Sequence, residues 1–341
     1  MRILVDITHP AYVHFFRHAI DRWQQSGVDI LITSRKKDVT TDLLDEFGFE
    51  HHCLSTAGKG LHGLTRELIL RNWKIARLMD TFKPNVVTAC AGPFLIYGGI
   101  RHGVPRVVFY DTEHDHLNNA LVYPTATVVA TPRSFDSYEA RKHIRYAGYH
   151  ATAYTHPNVF TPDADIVQAE GYEPGEYIIV RLVNWAASHD IGDHGVQGLR
   201  QVVKTLQAYG QVILSSEIDL PDDLATLQFR GQRRNMLHLQ AHAKLFFGES
   251  ATMASECVML GVPSVFVSTS QRGYINEQEA HYDMVYAFYD RDNGQFQALA
   301  KAIELLEDPT TSQKWRRKHA RMLDELIDVT EFIVDTVESY A

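Results

Sequence analysis

Lys244-Leu-Phe-Phe-Gly248-Glu249-Ser250-Ala251-Thr252-Met253-Ala254-Ser255-Glu256, with Leu260-Gly261-Val262-Pro263 and Ser264-Val265-Phe266-Val267 after it, is the stretch on which the fold turns. An apolar strand, Lys244–Phe247, ends at a glycine and a short polar turn. The pattern then predicts a helix over Thr252–Leu260 and a strand over Pro263–Val267, a βαβ unit whose short connections favour a parallel sheet. Gly248, Ser250, Ala251 and Thr252 lie where that helix starts. Free backbone N–H groups and the helix dipole make such a start a place for phosphate oxygens. Thr252 and Glu256 are four residues apart and share a face, so a carboxylate one turn in could accept hydrogen bonds from ribose hydroxyls. In the plainer reading, any βα turn carries Gly and Ser, and Glu256 is a solvated helix residue.

Outward from there the same rhythm runs in both directions. Tyr177–Leu182 and Gln211–Leu214 read as strands, Gly195–Tyr209 as a helix, and helices over Gln295–Glu307 and Ser312–Ser339 close the chain. At the other end, Ile3-Leu4-Val5-Asp6-Ile7 is a strand, Val13 to Gln25 an amphipathic helix stopped by Ser26-Gly27, and Val28 to Thr33 a strand. Strands near Glu50–Leu54, Asn85–Ala89, Arg106–Tyr110 and Thr127–Ala130 alternate with helices at Thr41–Phe47, Leu64–Phe82 and Phe94–His102. Between Gly148 and Gly175 the alternation breaks at Pro157, Pro162 and Pro174. The expected organisation is α/β, with two doubly wound Rossmann-like domains: 1–154, a linker at 155–175, a second domain at 176–308, and a C-terminal helix at 309–341 that could cross back to the first. Ligand binding is expected at the carboxyl ends of both sheets, in a cleft they face.

The bulk numbers agree. A chain of 341 residues suits two domains, and 45% hydrophobic with 22% charged residues is a globular balance. A formal charge of -9 argues against general nucleic-acid binding. The three cysteines, Cys53, Cys90 and Cys257, lack metal-like spacing and read as buried thiols of a reducing compartment. No signal peptide or apolar span is expected, which predicts a cytoplasmic protein.

The stretch that opens this section resembles the nucleotide-sugar motif of GT-B proteins, where strand–Gly–Ser–helix–Glu is followed by Leu-Gly-Xaa-Pro and another strand. The lipid-intermediate N-acetylglucosaminyltransferase of peptidoglycan synthesis and UDP-N-acetylglucosamine 2-epimerase are similar there. A resemblance to the family called domain of unknown function 354 covers nearly the whole chain. It is carried by Asp6-Ile-Thr-His9-Pro10-Ala-Tyr-Val-His14-Phe15-Phe16, Asp111-Thr112-Glu113-His114, Gly148-Tyr149 through Tyr154-Thr-His156-Pro157, Trp185-Ala-Ala-Ser188-His189-Asp190 and Gly248 to Glu256. It implies a GT-B fold and a nucleotide-diphosphate sugar as co-substrate, a UDP-sugar first, with no separate cofactor.

His9 and His14 lie where the first strand turns into the first helix, the place where inverting GT-B glycosyltransferases carry a catalytic histidine. A general base near neutral pH is the physical need; in the alternative, His9-Pro10 is turn chemistry and His14 caps or packs. Asp111-Thr112-Glu113-His114-Asp115-His116 follows the strand ending at Tyr110. It could supply a base, bind sugar hydroxyls, or chelate a metal. GT-B enzymes resemble one another in needing no metal for catalysis, which places that reading second and leaves Asp111 and Glu113 as catalytic candidates. The epimerase carries a carboxylate in a comparable loop, here Glu113. However, its Arg-Pro-Glu turn and its acidic residue after the fourth strand are replaced by His9-Pro10-Ala11 and Ala91-Gly92-Pro93. In the second domain Arg181 could clamp a diphosphate, Asn184 and His189 flank the same site, and Trp185 either stacks on the ligand or packs in the hinge.

Between Gly58 and Lys83 six cations, Lys59, Arg66, Arg71, Lys74, Arg77 and Lys83, face only Glu67 and Asp80, with Leu64, Leu68, Trp73 and Ile75 interleaved. A basic amphipathic helix reads either as a contact with the inner face of a membrane or as a core-facing helix with a solvated basic side. The expected activity is transfer of a sugar from a nucleotide-diphosphate donor to a glycan or lipid-linked hydroxyl acceptor, as in polysaccharide biosynthesis. The alternatives are a nucleotide-sugar hydrolase or epimerase, and a non-catalytic binding or assembly protein.

Overall fold

The structure, a computed structural model, describes residues 1–58, 60–113, 115–135, 142–183 and 198–341. It divides into two compact units, Met1–Val159 together with Ile327–Ala341, and Phe160–Leu326.

In the first unit seven strands form one sheet: β1 Arg2–Ile7, β2 Asp29–Lys36, β3 His52–Thr56, β4 Val86–Cys90, β5 Arg106–Phe109, β6 Val128–Pro132 and β7 His143–Tyr146. Their order is β3-β2-β1-β4-β5-β6-β7, every neighbouring pair parallel. The chain winds outward one way from β1 and the other way from β4, so the sheet reverses between them. Strands buried on both faces are largely apolar, and Ile3, Leu4, Val5 and Ile7 have no exposed surface, with Asp6 the buried exception. The helix Pro10–Gln25 covers one face with Val13, Phe15, Phe16, Ile20 and Trp23. Phe15 meets Phe16 and Phe109 edge-on, at 5.0 and 5.3 Å between ring centroids.

The second unit holds β8 Tyr177–Leu182, β9 Gln211–Ser216, β10 Leu245–Gly248, β11 Ser264–Val267 and β12 Val285–Phe288, in the parallel order β12-β11-β10-β8-β9. Here the reversal lies between β8 and β10.

Several expectations change. The edge strands β7 and β12 have no counterpart in the predicted pattern. The helix expected over Ser312–Ser339 is two, Thr311–Glu325 and Val329–Glu338. Leu326 is extended, and the Asp328 carboxylate caps the new helix by accepting the N–H groups of Thr330 and Glu331 at 2.9 and 3.2 Å. Val329, Ile333 and Val337 then form one fully buried stripe in the first unit, where Thr330 donates to the Ala153 carbonyl at 2.6 Å. The 155–175 stretch is divided: the helix Thr152–Thr155 ends in the first unit, and Ala164–Ala169, capped by Asp163, belongs to the second. Cys53 is exposed rather than buried, because β3 is an edge strand with little cover; Cys90 and Cys257 are buried.

The helix Gly60–Phe82 corrects the reading of its charges. Arg71 is fully buried and donates to Asp6 of β1, to the Ser34 carbonyl at 2.6 Å and to the Ser55 hydroxyl at 3.0 Å. Glu67 is also buried, held in a two-bond fork by Arg35 at 2.7 Å. Ile75 packs inward while Trp73 is exposed. Both Arg71 and Glu67 therefore serve the core and leave the solvent face to other residues.

Candidate functional site

In the second unit the reversal brings two strand ends together. Arg181 pairs in register with Gly248, and the Glu249 N–H donates to the Arg181 carbonyl at 3.0 Å. A Cβ at residue 248 would sit 2.8 Å from the Arg181 nitrogen and nearer still to its carbonyl oxygen, so the strands approach this closely only with glycine. The buried Glu249 carboxylate accepts the Val183 N–H at 2.9 Å, tying the chain leaving β8 to the chain leaving β10. Nothing in the local sequence pattern marked Glu249 for this work.

Beside this junction starts the helix Ala251–Met259. Ser250 is its N-cap, its hydroxyl accepting the Met253 N–H at 3.3 Å, and no acidic residue lies in the first turn. Helical geometry gives the Ala251 and Thr252 amides no partner within the helix, and the positive end of the dipole adds to them. Thr252 is half-buried. Glu256 is not the solvated residue of the plainer reading: it is 7% exposed and accepts a hydrogen bond from the fully buried Gln240 amide at 2.8 Å. Arg181 is already engaged on β9, donating to the Ser215 hydroxyl at 2.9 Å and pairing with Glu217. A clamp on a diphosphate would have to draw it from Glu217. Asn184, Trp185, Ser188 and His189 lie outside the described residues.

In the first unit His9 follows β1 and is the N-cap of Pro10–Gln25, its Nδ1 accepting the Ala11 N–H at 3.2 Å. An amide N–H can only donate, so in this arrangement the neutral ring carries its proton on Nε2. His9 is then a hydrogen-bond donor, and the base role expected of it needs the cap to open. Beyond β4, Ala91 and Gly92 both take positive φ, 63° and 75°, turning the chain sharply away from the strand end. Beyond β5, Asp111 makes an ion pair with His150 at 3.2 Å and accepts the Thr112 hydroxyl at 2.9 Å. Burial would push the Asp111 carboxyl up, but His150, Thr112 and the field of His9 outweigh it and hold it below the usual carboxylate range. The charge is felt nearby: burial first, then Asp111, raises the phenol of Tyr12 well above its ordinary value. Glu113 is on the same loop, its backbone carbonyl accepting from Asn119 at 3.3 Å. His114 lies outside the described residues.

His14 stands apart from this cluster. Its ring lies 5.3 Å from Tyr154 and 5.7 Å from Phe47. Burial, with Arg17 and His18 adding to it, lowers its pKa to about 3. It is a neutral packed ring near pH 7, of the capping-or-packing kind. His150, by contrast, was not singled out in sequence, being separated from Asp111 by two strands. Among the described residues no group of three or more His, Cys, Asp or Glu side chains is gathered as a metal-ligand set, and no helix is long and apolar enough to cross a membrane.

The chain aligns in three dimensions with a crystal structure of UDP-GlcNAc 2-epimerase from Neisseria meningitidis bound to UDP-GlcNAc. The TM-score is 0.69 at 12% identity, covering 99% of this chain and 100% of the other. It aligns likewise with the glycotransferase of kitacinnamycin, with a TM-score of 0.67 at 13% identity over 99% and 98% of the two chains. By sequence it is similar to the uncharacterized protein MJ0665 of Methanocaldococcus jannaschii, 24% identical over 134 residues, which covers 39% of each chain. Two parallel α/β units with these neighbours are the GT-B fold of glycosyltransferases and UDP-sugar epimerases. Matching over residues 1–341, the chain belongs to the family described as protein of unknown function (DUF354).

Proposed function

We propose that the protein is a glycosyltransferase that moves a sugar from a nucleotide-diphosphate donor, a UDP-sugar first, to a hydroxyl acceptor. The observation that carries this reading is the junction of β8 and β10. There a serine-capped helix start with no acidic residue in its first turn stands beside a strand approach that only glycine permits, with a buried carboxylate, Glu256, one turn in. The Ala251 and Thr252 amides receive the diphosphate, and Glu256 accepts the ribose hydroxyls after exchanging its Gln240 partner.

In the first unit the acceptor hydroxyl gives its proton to the Glu113 carboxylate as its oxygen attacks the anomeric carbon. The bond from that carbon to the diphosphate oxygen breaks, and the leaving charge is met by the helix amides. Asp111, kept charged by His150, holds the loop, and His9 offers Nε2–H to a sugar oxygen. The binding of a UDP-sugar in the N. meningitidis structure is consistent with the donor class, while the replaced epimerase positions, His9-Pro10-Ala11 and Ala91-Gly92-Pro93, disfavour epimerisation.

The test is nucleoside-diphosphate release from a panel of nucleotide sugars, with and without simple glycan acceptors. Acceptor-dependent release that falls about a hundredfold or more in Glu113→Gln, with the donor KM little changed, supports the reading. Turnover without acceptor would make it a hydrolase or epimerase, and tight donor binding with no turnover would make it a binding protein.

A further inference from the structure

The helix Gly60–Phe82 leaves one face in water, and its composition is unusual for a solvated face. Leu61, Ile69, Leu70 and Trp73 are 72%, 64%, 44% and 45% exposed. Arg66, Ile69, Leu70, Trp73 and Arg77 follow the three- and four-residue spacing of a single helix side, and an open depression runs along Leu61, His62, Thr65, Arg66, Ile69 and Leu70. The core is satisfied by the opposite side, through Arg71, Ile75, Ala76 and Met79. The apolar residues of this face are thus surplus to folding.

Its charge narrows what could cover it. Arg66 and Arg77 make no ion pair among the described residues, and the Arg77 guanidinium lies over the Trp73 ring at 3.9 Å. The acid on this side, Asp80, is already paired with Arg101 at 3.2 Å. In a chain of net charge -9, this is a cationic and apolar surface. A second copy docked about a two-fold axis would set this cationic face against the same cationic face of its partner. An anionic bilayer takes both components at once: phosphate and carboxylate headgroups accept the guanidiniums, and the headgroup boundary accepts Trp73, Ile69 and Leu70.

We propose that this face is a docking surface for an anionic lipid bilayer, on which the helix lies in the plane of the headgroups. The inference rests on this helix alone and stands whether or not the donor reading holds. It gives the acceptor a physical form if that reading is right, since a hydroxyl borne on a lipid would be met at the membrane.

The experiment is co-sedimentation of the full chain with vesicles of phosphatidylcholine alone or mixed with phosphatidylserine, at low and raised salt. Binding is expected to the mixed vesicles and to weaken with salt. In Arg66→Glu/Arg77→Glu it should fall by more than about tenfold, while Arg316→Glu/Arg317→Glu, the same charge change at exposed positions of another helix, should leave it within about twofold of the parent. Ile69→Asn should weaken binding with no change in melting temperature, because the side chain is exposed. Failure to bind the mixed vesicles overturns the proposal. So does equal loss in the two double variants, or self-association in solution that Ile69→Asn abolishes.

Discussion

Replacing Arg71 with Met removes the ion pair that joins the helix Gly60–Phe82 to Asp6 of β1. Asp6 and Arg71 have no exposed surface, and the guanidinium also binds the Ser34 carbonyl and the Ser55 hydroxyl and lies 4.9 Å from the Phe94 ring. Among the described residues Asp6 would be left with the Thr33 hydroxyl, which donates to it at 2.6 Å, in a fully buried site. An uncompensated buried charge costs about 3–5 kcal/mol, against a total stability of order 5–15 kcal/mol for a domain. In a unit of this size that lowers the melting temperature by roughly 6–20 °C. The assay is a double-mutant cycle of Arg71→Met, Asp6→Leu and both together, followed by calorimetry. Each single change should be costly, and the double variant should lose less than the sum by about 0.5–3 kcal/mol. Single variants within about 1 kcal/mol of the parent, or strict additivity, would refute the claim that this pair anchors β1 and the His9 turn beyond it.

Two further outcomes test particular contacts. His14 has a folded pKa of about 3 against 6.5 when unfolded, so between those values the unfolded chain holds the extra proton. Stability therefore falls as pH drops from about 6.5 toward 3, by up to about 1.4 kcal/mol per pH unit, and urea denaturation of His14→Gln across that range should show a shallower slope. Gly248→Ala forces a methyl against the Arg181 backbone and should cost about 1–3 kcal/mol and weaken nucleotide binding, read by thermal melting with and without UDP; unchanged melting and affinity would show that the β8/β10 approach is slack.

The fold was legible because parallel strands buried on both faces read as continuous apolar runs. Ile3 to Ile7 and Tyr177 to Leu182 announce themselves in this way. His143-Ile-Arg-Tyr146 does not, since an edge strand keeps polar side chains, and four residues at Val285–Phe288 are too short for a period to show. The break at Leu326 escaped because Asp328 is both a good cap and an ordinary helix-surface residue. Arg71 sits four residues before the buried Ile75, so its inward phase was present in the pattern, but a cation on a basic helix reads as solvated unless its partner is known. That partner is 65 residues away in sequence. The candidate site follows the same division. The glycine, Ser250 and Glu256 belong to one local motif and could be found together. The Asp111–His150 pair and the Glu249–Val183 tie join separate strands, and no spacing encodes them. Arg181 was found as a cation, but its engagement with Glu217 arises from the register of β8 against β9.

The central claim is that the helix start after β10 receives a nucleotide diphosphate, and thermal stabilisation by nucleotide sugars tests it most directly. A ligand at a hundred times its dissociation constant adds about 2.7 kcal/mol. The account predicts a selective rise with one nucleotide-diphosphate sugar, a UDP-sugar first, and a smaller rise in Glu256→Gln. A flat response to every such ligand, or an undiminished one in Glu256→Gln, would contradict it.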